Sequence, residues 1–78
     1  MDYQADKRFG AHLRAIRKKQ GMSQEVLAAK LQLEGLLLTR SAVGKLEAGQ
    51  RHFYLEELLA LQKVLGVSFD ELLDMETC

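Results

Sequence analysis

The stretch from residue 23 to residue 49, SQEVLAAKLQLEGLLLTRSAVGKLEAG, contains two short segments with helical periodicity. The first follows Ser23, a residue type that caps helix N-termini. Its apolar stripe consists of Leu27, Ala28 and Leu31. The second follows Thr39, another capping residue type, and ends at Gly49. The pattern therefore predicts two consecutive helices joined by an apolar link at Leu36–Leu38.

The second helix of this pair has two different faces when it is placed on a helical wheel. The apolar face consists of Ala42, Val43 and Leu46. The other face spans an arc of about 140° and consists of Arg40, Ser41, Gly44, Lys45 and Ala48. Arginine and lysine can bond the O6 and N7 atoms of guanine, and serine is a tolerant hydrogen-bonding partner. A glycine at this position lets the backbone approach a groove closely, at a cost of about 1 kcal/mol in helix propensity. The same pattern is also typical of a helix face that is simply solvated.

Three further helices complete the predicted fold. The first spans about residues 6–20, the fourth spans about residues 55–65, and the fifth begins at Ser68, which stands at capping-box spacing from Glu71. All five segments are helical, so the fold class is all-α. With 78 residues, fifteen of them leucine and none proline, the chain is expected to form a single domain over residues 1–78.

Charge is distributed unevenly in a chain whose formal net charge is zero. Residues 1–51 contain ten basic and five acidic residues, whereas residues 52–78 contain one basic and six acidic residues. This asymmetry predicts a basic face for an acidic partner and an acidic C-terminal third directed elsewhere. The alternative is that the charges only keep the protein soluble. No signal peptide or membrane-spanning segment is recognisable, so a cytoplasmic or nuclear location is expected.

Nothing in the sequence indicates an enzyme, a metal site or a cofactor. His12 and His52 stand forty positions apart, with no cysteine or paired carboxylates at ligand spacing. The single cysteine, Cys78, is the last residue, where a chain end cannot hold a nucleophile in register with a base. A glycine-rich phosphate loop is also missing.

An ordered set of motifs resembles the Cro/phage-repressor type of helix-turn-helix domain, also called the XRE family. The motifs are RxxRKxxGMS at residues 14–23, SQExLAxxL at 23–31, VxxLExG at 43–49 and LGVSxxELL at 65–73. The resemblance covers about residues 8–74. It implies a compact five-helix, lambda-repressor-like domain whose helix-turn-helix is formed by helices 2 and 3. It also implies a sequence-specific transcriptional regulator, a repressor that binds a two-fold symmetric operator in double-stranded DNA as a homodimer near the nucleoid.

The resemblance further implies roles for individual side chains. The residues that would contact base edges are Arg40, Ser41 and Lys45, with Gly44 beside them. Phosphate contacts would come from Gln24, Thr39, Arg51 and His52. An ion pair between Arg17 and Glu47 would tie helix 1 to the end of helix 3. The alternative for that pair is two solvent-exposed charges whose interaction contributes under about 1 kcal/mol.

Three features depart from the family pattern. The link between helices 2 and 3 is about five residues longer than the usual tight turn, so Leu36–Leu38 is expected to cover the core, with one leucine exposed and available to a partner. Gln62 interrupts the apolar stripe of helix 4, so it needs hydrogen-bond partners or an interface. Phe53 and Tyr54 precede helix 4, where they either belong to the core or form a subunit contact.

A second function, a protein-interaction module of antitoxin-like or adaptor type, is allowed by the zero net charge, the Leu36–Leu38 link and the acidic C-terminal third. Its partner protein would bind through the acidic C-terminal third or through Leu36–Leu38. For the homodimer, the candidate surface is the acidic, leucine-rich segment Leu55–Met75 together with Phe53 and Tyr54. DNA affinity that falls steeply with salt would favour the DNA-binding function, because phosphate contacts release counterions.

Overall fold

The computed structural model describes residues 3–73, which form five α-helices. They are α1 (Tyr3–Lys19), α2 (Gln24–Leu33), α3 (Arg40–Glu47), α4 (Leu55–Leu65) and α5 (Phe69–Leu73). No β-strand occurs within this range, and the predicted all-α class is confirmed. The first helix begins earlier than its predicted start near residue 6. Cys78 and the end of the candidate dimer surface, Asp74 and Met75, lie outside the described residues.

Three of the helices begin where a hydroxyl side chain accepts a hydrogen bond from the backbone. Ser23 Oγ accepts from Val26 N at 3.0 Å, and Thr39 Oγ1 accepts from Ala42 N at 3.1 Å. Ser68 Oγ accepts from the backbone N–H of Glu71 at 3.1 Å. Each bond satisfies an N–H group that has no partner within its helix, so the predicted caps are confirmed.

One hydrophobic core receives side chains from all five helices. Its fully buried members are Leu13, Leu27, Leu31, Val43, Leu46, Leu61 and Leu72. Burial of each such side chain contributes roughly 1.5–3 kcal/mol before the entropy cost of ordering it. Since α3 supplies two of these residues, its inward face is held by the core. Within residues 3–73, no helix is long and apolar enough to cross a membrane.

The long link between α2 and α3 is anchored by one of its leucines. Leu38 is buried, Leu36 is half-buried, and Leu37 is 96% exposed. Gln32 Nε2 also donates to the backbone carbonyl of Leu38 at 2.8 Å. The expectation that the segment covers the core while one leucine stays exposed is therefore confirmed.

Two glycines let the backbone of α1 lie directly against the end of α3. A Cβ atom on Gly10 would stand 2.3 Å from the carbonyl oxygen of Leu46 and 2.6 Å from that of Glu47. A Cβ atom on Gly49, whose φ is 73°, would stand 2.6 Å from the Cα atom of Lys7. Because real Cβ atoms do not approach other atoms so closely, only glycine permits this packing.

The aromatic residues before α4 have different environments. Phe53 is half-buried and packs edge-on against Phe9, with 4.0 Å between the ring centroids. Tyr54 is exposed. Phe53 therefore belongs with the core, whereas the ring of Tyr54 stays on the surface.

Candidate nucleic-acid interface

The outward face of α3 carries the polar side chains that the helical wheel predicted. Arg40, Ser41 and Lys45 are exposed, and Gly44 is half-buried. Val43 and Leu46, on the opposite side, are fully buried. Within residues 3–73, neither Arg40 nor Lys45 forms a side-chain hydrogen bond or ion pair. Their charges are therefore available to an anionic partner.

A buried ion pair holds the inward end of α3. Arg17 Nε donates to Glu47 Oε2 at 2.6 Å, and Arg17 Nη2 donates to Glu47 Oε1 at 3.0 Å. Their side chains are only 7% and 3% exposed, so this is not a pair of solvated charges. The hydrogen bonds to Glu47 raise the pKa of the Arg17 guanidinium above its ordinary value, although burial acts in the opposite direction. Arg17 thus stays charged throughout the physiological pH range.

The same carboxylate also orients the start of α2. Gln24 Nε2 donates to Glu47 Oε1 at 3.0 Å, and Arg17 Nη1 donates to the carbonyl oxygen of Met22 at 2.7 Å. These bonds join α1, the turn after it, α2 and α3. Together with the buried core, they therefore help to hold α3 in position relative to α2, across a link that is longer than a tight turn.

Gln24 and Thr39 lie at the edge of the outward face with hydrogen-bonding capacity left over. An amide carries two N–H groups, of which Gln24 directs one to Glu47. The Thr39 hydroxyl accepts the capping bond from Ala42 and keeps its own O–H as a donor. Either residue can therefore donate to an external acceptor without breaking a bond within the fold.

Arg51 and His52, the other two expected phosphate contacts, already have acidic partners. Arg51 Nη1 and Nη2 stand 3.0 and 2.9 Å from the two carboxylate oxygens of the buried Glu57. The guanidinium also stands 5.6 Å from the centre of the Tyr54 ring. His52 Nδ1 lies 2.5 Å from Asp6 Oδ2 of α1. These contacts attach the loop after α3 to α4 and α1, which distinguishes both residues from Arg40 and Lys45.

Two open clefts border the outward face of α3, and both include a residue to which the sequence assigned no role. The larger, of about 440 Å³, is lined by Arg14, Arg17, Ser23, Gln24, Glu25 and Arg40. The smaller, of about 290 Å³, is lined by Arg14, Gln24, Gly44, Glu47 and Ala48. The available signal was that Arg14 precedes Arg17 by one helical turn, which places it beside the ion pair on α1.

Comparisons with known proteins agree with this geometry. The helix-turn-helix family model matches residues 13–72. Among solved structures, the restriction-modification controller protein C.AhdI from Aeromonas hydrophila is 38% identical, with a TM-score of 0.79 over 90% of this chain and 94% of that one. The DNA-binding domain of BldD is 33% identical, with a TM-score of 0.76 over 92% of this chain and 97% of that one. No curated protein sequence matches.

The family match spans both helices of the pair and the residues that hold them together. It begins at Leu13, before the Arg17–Glu47 ion pair, and ends at Leu72 of α5. The resemblance drawn from the sequence motifs is confirmed. The chain belongs to the helix-turn-helix family, of the XRE type.

Proposed function

We propose that the protein is a DNA-binding transcriptional regulator that recognises a specific duplex sequence by placing α3 in the major groove. The observation that carries this proposal is the outward face of α3, where Arg40 and Lys45 have no partner within residues 3–73. A rigid helix with unpaired cations beside a small residue suits the edges of bases. Family membership and the two similar structures, a controller protein and a DNA-binding domain, support the same function.

Individual roles follow from exposure and from existing partners. Arg40, Ser41 and Lys45 read base edges, and Gly44 allows close approach. Gln24 and Thr39 donate to backbone phosphates beside the groove. Arg51 and His52 lie in the loop that would face a neighbouring phosphate. Since each is bound to a carboxylate, their contribution to DNA affinity is expected to be smaller than that of Arg40.

The regulator acts as a homodimer on a two-fold symmetric operator, because one domain of this size makes few base contacts. Support comes from exposed apolar side chains on α4, α5 and the residue before α4. These are Tyr54, Leu55, Leu59 and Phe69. They lie within the segment expected to form the dimer surface. Repression follows if the bound dimer covers a promoter, and its place in the cell is the cytoplasm, with the DNA.

Selection of binding sites from a random duplex pool at about 0.1 M salt tests this function. We expect the protein to enrich a two-fold symmetric site and Arg40→Ala/Lys45→Ala to lose that enrichment. Arg8→Ala/Lys19→Ala is the matched control, since it removes one arginine and one lysine that are exposed on α1 and border other clefts. Absence of enrichment by a folded protein would contradict the proposal, and an enriched site without symmetry would contradict the homodimer.

A second candidate function is the binding of a partner protein. Leu33 at the end of α2 and Leu37 in the link are 86% and 96% exposed, so both side chains are open to a partner. In that case DNA affinity would be weak, and it would not show the steep fall with salt that phosphate contacts produce. A salt titration of DNA binding by the unmodified protein separates the two functions.

A further inference from the structure

An exposed arginine on α1, outside the helix-turn-helix pair, faces the same space as α3. Arg14 stands one helical turn before Arg17, which is buried against Glu47. Unlike Arg17, Arg14 is exposed and forms no ion pair or side-chain hydrogen bond with any residue in the 3–73 range. It lines both clefts that border the outward face of α3.

The larger cleft has an excess of positive charge. Arg14 from α1 and Arg40 from α3 both line it, and neither has an acidic partner in the described part of the chain. Arg17 also lines it but is neutralised by Glu47, and Glu25 is the acidic residue that remains. Ser23, the N-cap of α2, and Gln24, its first residue, also line the cleft, and the N-terminus of α2 adds a partial positive charge.

We infer that this cleft binds a DNA backbone phosphate and that Arg14 is a DNA-binding residue that holds this phosphate from α1. The inference rests on the proposed function and extends it to a third helix. A duplex read by the N-terminal half of α3 carries phosphates on both sides of the groove, about one charge per 1.7 Å of helix axis. An arginine can bind such a phosphate with two parallel N–H bonds.

A contact of this kind has a distinct signature, because a phosphate contact positions the protein without reading sequence. Loss of Arg14 weakens binding to the selected operator and to unrelated duplexes by the same factor. It also removes one counterion-releasing contact, so the slope of log affinity against log salt becomes shallower by about 0.9 per bound copy of the chain. A residue that only stabilised the fold would leave this slope unchanged, because a smaller folded fraction lowers the apparent affinity for both duplexes without removing a phosphate contact.

The test is a salt titration, from about 0.05 to 0.3 M, of binding to the selected operator and to an unrelated duplex of equal length. Arg14→Ala is compared with Arg14→Lys, which keeps the charge, and with Arg8→Ala. Arg8 is the matched control, because it is an exposed arginine on α1 that lies about 120° around the helix and borders a different cleft. Thermal melting of each variant checks that it is folded.

We expect a shallower slope for Arg14→Ala, a slope close to that of the unmodified protein for Arg14→Lys, and no change for Arg8→Ala. Suppose that DNA binding by the unmodified protein depends on salt, but that Arg14→Ala and Arg8→Ala have equal slopes. That result would overturn the inference and leave the proposed function intact. A loss confined to the selected operator would also overturn it, because Arg14 would then read a base. If the unmodified protein showed no salt-dependent DNA binding, the inference and the proposed function would both fail.

Discussion

The inward and outward sides of α3 differ in how many of their side chains are buried or bonded within the protein. On the inward side, Glu47 accepts hydrogen bonds from Arg17 and Gln24, and Val43 and Leu46 are fully buried. On the outward side, the side chains of Arg40 and Lys45 form no hydrogen bond or ion pair with residues 3–73.

Two helical glycines show the same difference between close packing and open space. At Gly10 a Cβ would meet α3 backbone atoms at 2.3 Å, whereas at Gly44 it would meet only the Gln24 side chain, at 3.7 Å. The inward side of α3 is thus fixed by close packing, whereas its outward side is left open to a ligand. Changes on the inward side should therefore alter stability, and changes on the outward side should alter DNA binding.

The largest expected effect comes from removal of the inward carboxylate. Glu47→Ala leaves the Arg17 guanidinium buried without a counter-charge, which should lower the free energy of unfolding by about 3–5 kcal/mol. Urea denaturation measures this loss. The matched control is Glu34→Ala, which breaks the more exposed pair with Lys63 and should cost under about 1 kcal/mol. Equal losses for the two variants would show that the buried pair does not hold α3.

A smaller loss of stability is expected at the contact between α1 and α3. Gly10→Ala forces the two backbones apart, and overpacking of this kind should cost about 2 kcal/mol net of the gain in helix propensity. The change in thermal midpoint measures it. Gly44→Ala is the matched control because it makes the same substitution inside a helix. A stable Gly10→Ala protein would mean that the close approach of α1 to α3 is dispensable.

A change of specificity without a change of stability is expected on the outward face. Arg40→Ala should cost roughly 1–3 kcal/mol of binding at one base pair of the operator. Stability should stay within about 0.5 kcal/mol, since this exposed side chain has no partner within residues 3–73. Competition among operators that differ at single positions measures the effect. If Arg40→Ala kept the sequence preference of the unmodified protein, its assignment to base reading would be wrong.

A small change in stability of the opposite sign is expected at Gly44. A Cβ there makes only an ordinary contact with Gln24, so Gly44→Ala should raise the free energy of unfolding by up to about 1 kcal/mol. The added methyl group projects from the outward face and should weaken operator binding. Denaturation and binding titrations on the same preparation check both parts. A variant that is more stable and binds equally well would show that α3 does not approach DNA closely at this residue.

Features that depend on residues close together in the chain could be predicted without the structure. The capping hydroxyls of Ser23, Thr39 and Ser68 reach an N–H only three residues away, so their roles are readable from local spacing. Helical periodicity likewise predicted that Val43 and Arg40 lie on different faces of α3. The expected contact between Arg17 and Glu47 came from resemblance to a family, because residues thirty positions apart have no spacing rule.

Which polar side chains already have hydrogen-bond or ion-pair partners could not be predicted, because it depends on how the helices pack. Arg51 and Arg40 look alike in the sequence, yet one is bound to Glu57 and the other has no partner among residues 3–73. Gly10 and Gly44 also look alike, yet only Gly10 lies against another backbone. Arg14 borders both clefts beside α3 because α1 packs against that helix. The physical reason is that burial and pairing depend on how helices distant in sequence pack together, whereas caps and helix faces depend on adjacent residues.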